Sequence, residues 1–381
     1  MKFNLSDICD YAKGKIDVAV LDEDTYISTE NMMPNKGGIT SASSLPTLAQ
    51  TQAFSAGDVL VSNIRPYFKK IWFAEFDGGC SNDVLVFRAK DGVSKRFLYY
   101  VLSDDTFFDY SMATSKGTKM PRGDKAAIMK YEVPDFTYEE QEKIAGILEA
   151  LDRKIQLNTE INENLLEQAL TLYATQFSSL ELNGCIGDYC SVKSGFAFKS
   201  SWWTNCGVRV IKIGSINQDN LNLLECSYVD EDKANKAKDF VVKAGDLLIA
   251  MTGATIGKFA MVPYSSEVLL INQRVGKFFL GNNPVEKLPF IYCTLKQPEV
   301  YAEVVNRGQG SAQPNISASD IMSIPCVIPS QDAINNFNDM SQPLFDLIIS
   351  NQRENRQLSE LRNALLPKLM SGELDVTDID L

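Results

Sequence analysis

The sequence predicts an α+β fold built twice, as two tandem mixed α/β domains separated by two long helices that form an antiparallel coiled coil. Three observations predict it. The chain repeats itself along its length, so one structural unit is used twice. Two segments place apolar side chains at alternating four- and three-residue spacing, the seam of a coiled coil. The acidic residues gather in those same two segments. At 381 residues, the chain suits about two domains better than one core.

The repeat starts with Leu5-Ser6-Asp7-Ile8-Cys9 through Gly14, echoed by Ile186-Gly187-Asp188-Tyr189-Cys190 through Gly195. Gly57-Asp58-Val59-Leu60-Val61 is matched by Gly245-Asp246-Leu247-Leu248-Ile249, in each case a Gly-Asp turn feeding a buried strand. Farther on the offset settles at 193: Gly117 falls on Gly310, Pro121 on Pro314 and Ile128-Met129 on Ile321-Met322. Phe97-Leu98-Tyr99 falls on Phe290-Ile291-Tyr292, an amphipathic helix in both halves. Val84-Leu85-Val86-Phe87 and Val208-Arg209-Val210-Ile211 read as strands. The expected boundaries are residues 1–136 and 181–330 for the domains, and 137–180 and 331–381 for the helices.

The first seam runs through Ile144, Leu148, Leu151, Ile155, Asn158, Asn162, Leu165, Ala169, Leu172 and Gln176. Adding 193 gives Phe337, Ser341, Leu344, Ile348, Asn351, Asn355, Leu358, Arg362, Leu365 and Leu369. Two asparagines fall on two asparagines. Asn at a seam position costs stability and fixes register, so Asn158, Asn162, Asn351 and Asn355 are the candidate register residues. Pro343 lacks a backbone N–H, and the regular part of the second helix is expected to start near it.

Composition narrows the chemistry. The chain has eight cysteines, no C-x-x-C pair and no histidine, which excludes a Cys/His zinc site and gives no disulfide framework. Reduced thiols buried in a cytoplasmic protein are expected. No apolar run reaches membrane-spanning length and the N-terminus has no signal core, so no membrane association or export is expected. The net charge is −12, yet residues 1–136 carry 16 basic and 18 acidic residues and residues 181–330 carry 14 of each. The two helical segments carry 3 basic against 8 acidic and 4 against 9. A nearly neutral domain can hold a basic face.

No catalytic or metal-binding residues emerge. Gly253-Ala254-Thr255-Ile256-Gly257-Lys258 is one residue short of a phosphate loop and has Phe259 where magnesium needs Ser or Thr. The repeat places a hairpin there instead. Pro134-Asp135 with Asp152-Arg153-Lys154 outlines a metal-dependent nuclease pattern, but Asp152 and Lys154 belong to a solvated helix face. There is no dinucleotide fingerprint and no nucleophile elbow.

What remains are loops whose side chains suit DNA. Asn63-Ile64-Arg65-Pro66-Tyr67-Phe68-Lys69-Lys70 offers Arg65, Tyr67, Lys69 and Lys70 just after a strand. Ser115 to Lys130 adds Lys116, Lys119, Arg122 and Lys125 around two glycines, with only Asp124 opposing them. The second half offers Thr252, Thr255 and Lys258, then Arg307, Gln309 and Gln313, and Gln273 and Arg274 after an apolar run. Arg and Lys pair with guanine, Gln and Asn with adenine, and all of them hold phosphates. Trp202, Trp203 and Phe196 to Phe198 fit a core as well as they fit base stacking.

The whole chain resembles the specificity subunits of Type I restriction–modification enzymes. The resemblance rests on Gly245 to Val262 (GDLLIAMTGATIGKFAMV), Ile271 to Phe278 (INQRVGKF), Leu365 to Leu374 (LLPKLMSGEL) and the helix Glu139 to Gln168. Ser81-Asn82-Asp83-Val84 is expected where the second half has Ile271-Asn272-Gln273-Arg274. The resemblance implies two target-recognition domains that each read one half of a split site in double-stranded DNA. It also implies two methyltransferase subunits docked on the helices, and a restriction or motor subunit. S-adenosylmethionine, ATP and magnesium would be used only by those partners. On this reading the chain is not an enzyme. The alternatives are a stand-alone metal-dependent nuclease and a coiled-coil scaffold that does not read DNA. The helix from Ile144 to Leu172 would run about 42 Å, or about 12 base pairs along B-DNA.

Overall fold

The computed structural model describes residues 2–117, 119–308 and 314–376. The chain divides into two compact units, Met1–Lys154 with Leu358–Leu381, and Ile155–Gln357.

In the first unit, β1 (Cys9–Tyr11), β2 (Val59–Ser62), β3 (Ile71–Phe73) and β4 (Val84–Ala89) form an antiparallel sheet in the order β1-β4-β2-β3. Val59, Val61, Leu85 and Phe87 pack on one face against α1 (Lys95–Ser103). Leu60, Trp72 and Val86 pack on the other against Ile27, Phe54 and Cys80 of a second sheet. Both faces are covered, which is why these strands read as unbroken apolar runs rather than alternating ones. The second sheet orders Lys15–Asp17, Gln50–Phe54, Gly78–Cys80 and Tyr26–Ile27, the last pair parallel.

The Gly-Asp motif is a structural joint. Gly57 takes φ +91, a left-handed conformation that suits glycine. The Asp58 carboxylate caps the Ser55 N–H at 2.8 Å and receives Arg88 of β4 at 2.8 and 2.6 Å. Asp58 is almost fully buried, so its charge needs that partner. The unit continues into α2 (Tyr138–Phe177).

The second unit repeats this plan. β5 (Ser191–Ser194), β6 (Leu247–Ala250), β7 (Phe259–Met261) and β8 (Val275–Phe279) form an antiparallel sheet in the order β5-β8-β6-β7. Leu247 and Ile249 face α3 (Leu288–Leu295), while Leu248 and Ala250 face Ile211, Leu269 and Ile271 of a five-stranded second sheet. Asp246 caps the Lys243 N–H at 2.8 Å and pairs with Lys277 at 2.5 Å. The expected hairpin is present: β6 and β7 pair antiparallel around a 3-10 turn at Gly253–Thr255, so that sequence is a strand connection.

The second long helix, α4 (Gln331–Met370), pairs antiparallel with α2. Within the second unit, the Asn158 amide donates to Asn355 at 2.9 Å and to Glu354 at 2.7 Å. Asn351 donates to Asn162 at 2.9 Å. An offset of 193 carries Asn158 onto Asn351 and Asn162 onto Asn355, so one amide pair is the repeat of the other. Around them Ala169, Tyr173, Phe177, Phe337, Phe345 and Ile348 join the core. Within the first unit, Ile144, Leu148, Leu366 and Leu369 do the same.

One expectation fails here. α4 does not begin near Pro343 but runs through it from Gln331. Proline removes one backbone hydrogen bond, and burial of Ile334, Phe337, Phe345 and Ile349 on both sides outweighs that loss. Six of the eight cysteines are buried, and burial pushes the Cys9, Cys80, Cys190 and Cys326 thiols up to about 12. Cys185 and Cys206 depart from the expectation, the first half-buried and the second exposed. Among the described residues, no helix is long and apolar enough to cross a membrane.

Candidate nucleic-acid interface

In each unit, backbone hydrogen bonds clasp three loops together at one edge of the core sheet. In the first, the Asn63 N–H reaches Asp83 O at 2.8 Å, the Arg65 N–H reaches Pro121 O at 2.8 Å, and the Gly123 N–H reaches Asn63 O at 3.2 Å. Ile64 and Arg122 form a bridge. In the second, Met251 N–H reaches Arg274 O at 3.0 Å, Gly253 N–H reaches Pro314 O at 3.0 Å, and Ile316 N–H reaches Met251 O at 2.9 Å. Thr252 and Asn315 form the matching bridge. The two clasps are copies of one another, bond for bond.

This geometry corrects the sequence alignment by one residue. Val84 N–H reaches Ser81 O as Val275 N–H reaches Asn272 O, and the Ser81 hydroxyl caps Asp83 as the Asn272 side chain caps Arg274. Ser81 therefore corresponds to Asn272, Asn82 to Gln273 and Asp83 to Arg274. The strands before this turn, Gly78-Gly79-Cys80 and Leu269-Leu270-Ile271, share no residue pattern that would anchor the alignment, so a one-residue slip left no visible trace in the sequence.

The first clasp gathers Arg65, Tyr67, Lys69, Lys70, Lys116 and Arg122, which sequence reasoning had placed in two separate loops. Arg65 takes φ +51 and Lys69 φ +50, at the two ends of a 3-10 turn over Pro66–Phe68. Tyr67 is exposed, with its ring 4.6 Å from Phe68. The Arg65 Nε is buried without an acceptor among the described residues, and so is the Asn63 Oδ1 without a donor. Lys70 donates to Thr29 O at 2.6 Å, and burial lowers its pKa. Lys119 is exposed.

Carboxylates temper this basic edge more than expected. Arg122 pairs with Asp83 at 3.1 Å and Lys116 with Asp124 at 2.5 Å. Lys69 and Lys36 share Asp105 at 2.8 and 2.9 Å. Burial would raise the Asp105 carboxyl, but the hydrogen bonds from Lys69 and Lys36 outweigh it and hold it below its ordinary value. Lys36 was missed from sequence. The Asn35 and Lys36 N–H groups dock on Phe68 O and Lys69 O at 2.8 Å, and the Asn35-Lys36-Gly37-Gly38 turn was the available signal. Lys125 sits apart, over the Tyr11 ring, whose hydroxyl donates to the Lys125 carbonyl at 3.0 Å.

In the second clasp, Thr252 Oγ1 is buried without a partner among the described residues, and Thr255 donates to Thr252 O at 3.5 Å. Lys258 corresponds to Lys70: Ala250 N–H reaches Lys258 O as Ser62 N–H reaches Lys70 O. Gln273 and Arg274 are exposed. Arg307 is occupied, bound to Glu303, to Asp320 O and to the Ser323 hydroxyl at 2.8, 3.0 and 2.6 Å. Gln309 and Gln313 lie outside the described residues. Phe196 and Phe198 belong with Trp202 and Trp203 to a small core, Phe196 stacking on Trp202 at 6.2 Å. Lys199, Lys233 and Lys236 lie 5.4 to 5.8 Å from the Trp202 ring, and Gln273 N–H reaches Phe196 O.

Residues 1–167 and 182–358 each match the family described as the Type I restriction modification DNA specificity domain. The chain belongs to this family. Over 315 residues this specificity-domain chain is 26% identical to the Type I restriction enzyme MjaIX specificity subunit of Methanocaldococcus jannaschii, spanning 76% of this chain and 71% of that one. It is 24% identical to the HindI specificity subunit of Haemophilus influenzae, across 98% and 99% of the two chains. A crystal structure of a Type I S subunit from M. genitalium shares its fold, with a TM-score of 0.55 at 16% identity over 97% and 96% of the chains. Each of the two matched stretches of this chain contains one clasp.

Proposed function

We propose that this chain is the sequence-reading subunit of a Type I restriction–modification complex, that it binds a bipartite site in double-stranded DNA, one half per clasp, and that it supplies no catalytic group. The observation that carries this reading is the duplicated clasp inside two copies of a DNA specificity domain. Each clasp gathers Arg, Lys, Gln, Asn or Thr side chains from three loops on a rigid sheet edge, which is what base and phosphate contacts require. The reading also explains Asp152 without nuclease chemistry: it accepts Tyr100 Oη at 2.8 Å and Arg362 at 2.6 Å, so it is a tie between helix and domain.

On this reading the long helices carry the partners. Leu157, Ile161 and Leu347 are large apolar side chains exposed on them, and exposed apolar surface of this kind suits docking by methyltransferase subunits. S-adenosylmethionine belongs to those subunits, ATP and magnesium to a restriction subunit. The amide pairs of Asn158 with Asn355 and Asn351 with Asn162 set the register of the helices.

The test is co-purification with a cognate methyltransferase subunit, followed by sequencing of the DNA that the complex methylates. A split motif with a fixed gap is expected. Replacing residues 181–330 by the corresponding domain of another specificity chain should change one half of the motif and leave the other. A stable complex that methylates without sequence preference would leave only the scaffold reading.

A further inference from the structure

The two clasps share a backbone but not a charge pattern. Four equivalences follow from the matched hydrogen bonds: Arg65 with Gly253, Lys69 with Gly257, Asp83 with Arg274, and Arg122 with Asn315. Gly253 and Gly257 have φ +73 and +82, the conformation glycine adopts freely. Their counterparts Arg65 and Lys69 are held in the same left-handed region at φ +51 and +50. A long side chain is costly there, and such strain concentrates where a side chain has to be presented.

At the facing position the order is reversed. The first clasp has Asp83, which ties down Arg122 at 3.1 Å. The second has Arg274, exposed and without a carboxylate partner among the described residues, and its counterpart of Arg122 is the neutral Asn315. Among the described residues, each clasp thus keeps one guanidinium without a carboxylate partner, on different loops: Arg65 after the second strand of the first core sheet, Arg274 before the last strand of the second. Arg122 is the arginine that is already neutralised.

Resting on the proposed DNA-reading function, we infer that Arg65 and Arg274 are the base-reading arginines of the two domains, each specifying a guanine in its own half-site, and that Asp83 excludes such reading at the Arg274-equivalent position of the first. An arginine fork on guanine O6 and N7 is the geometry that a guanidinium without a carboxylate partner can adopt. A phosphate contact is the competing use of the same group, and the two differ in what they do to sequence preference.

The experiment uses the full chain in complex with its cognate methyltransferase subunit and a library of duplexes carrying single-base changes in the methylated motif. Arg65→Gly installs the residue that the second clasp already has, so it is compatible with the backbone. Arg274→Ala removes an exposed side chain. Thermal unfolding of both variants checks the fold. Arg65→Gly is expected to relax one position of one half-site by about ten-fold or more, and Arg274→Ala one position of the other half-site by a similar factor. Discrimination at all other positions stays within about two-fold. Uniform weakening across all sequences, with a shallower salt dependence, would make both arginines phosphate contacts and overturn the inference. An unchanged motif would overturn it too. No sequence preference in the unaltered protein would instead overturn the DNA-reading function, and this inference with it.

Discussion

One layer of the helix pair, beside the seam, is ionic in the first unit and apolar in the second. In the first, Asp152 of α2 meets Arg362 of α4 at 2.6 Å and takes a hydrogen bond from Tyr100. An offset of 193 turns Asp152 into Phe345 and places Ala169 where Arg362 stands. Phe345 and Ala169 are both fully buried, and Phe345 packs against Tyr292 with ring centroids 5.4 Å apart. The same backbone position therefore anchors the domain helix by a polar tie in one unit and by aromatic packing in the other. A repeated fold conserves geometry, and several chemistries can satisfy it.

A second contrast shows the same freedom along the helix. Gln141 of α2 accepts the Ser94 N–H at 3.0 Å, at the start of α1. Asn338 of α4 accepts the Phe290 N–H at 2.9 Å, near the start of α3. By the offset, Gln141 corresponds to Ile334, so the amide has moved one helical turn. The orphan N–H groups at a helix start need an acceptor, and either turn of the long helix can supply it.

The largest expected effect breaks the first contrast. Phe345→Ala should destabilise the second unit by about 3–5 kcal/mol, through lost burial and a cavity. Asp152→Ala should cost the first unit about 1–3 kcal/mol, the loss of charged hydrogen bonds at a half-exposed site. Denaturant unfolding followed by tryptophan fluorescence separates the two, because Trp72 lies in the first unit and Trp202 and Trp203 in the second. Equal losses would mean that polar tie and aromatic packing are energetically interchangeable.

A smaller effect tests the displaced amide. Asn338→Ala should cost about 2–3 kcal/mol, since it leaves the buried Phe290 N–H unpaired and also frees Tyr189 Oη, to which Asn338 donates at 3.1 Å. Gln141→Ala should cost about 1–2 kcal/mol, because its other bond is local, to Phe136 O. A Gln141 variant as damaged as the Asn338 variant would contradict the ranking.

The smallest effects have opposite signs. Arg65→Gly should leave stability unchanged or raise it by up to about 1 kcal/mol, since relief of the left-handed backbone offsets the entropy glycine adds to the unfolded chain. Gly253→Ala should lower it by about 1–2 kcal/mol for the converse reason. Thermal midpoints measured on the two single variants would decide this. A loss at Arg65→Gly would show that its side chain supports the clasp.

Much of the architecture was legible because it rests on repetition. The matches at Gly57-Asp58 with Gly245-Asp246, and at Asn158 and Asn162 with Asn351 and Asn355, survive in residue identity, since a buried carboxylate joint and a seam amide each tolerate few substitutes. The site was half legible. Loop composition pointed to Arg65, Lys69 and Arg122, which the fold gathers at one clasp, and to Lys125 and Arg307, which lie against Tyr11 and Glu303 instead. It missed Lys36, because nothing local says that residues 35–36 dock on residues 68–69.

The sequence by itself determined the duplication, the core strands and the two seam helices, because periodicity and turn chemistry are local properties that identical elements must share. Only the tertiary structure decided which loops meet, how the turn at Ser81 aligns with the turn at Asn272, and which arginines remain unpaired. Those outcomes depend on hydrogen bonds and ion pairs between residues far apart in the chain, such as Arg65 to Pro121 and Asp83 to Arg122, and no local pattern encodes them.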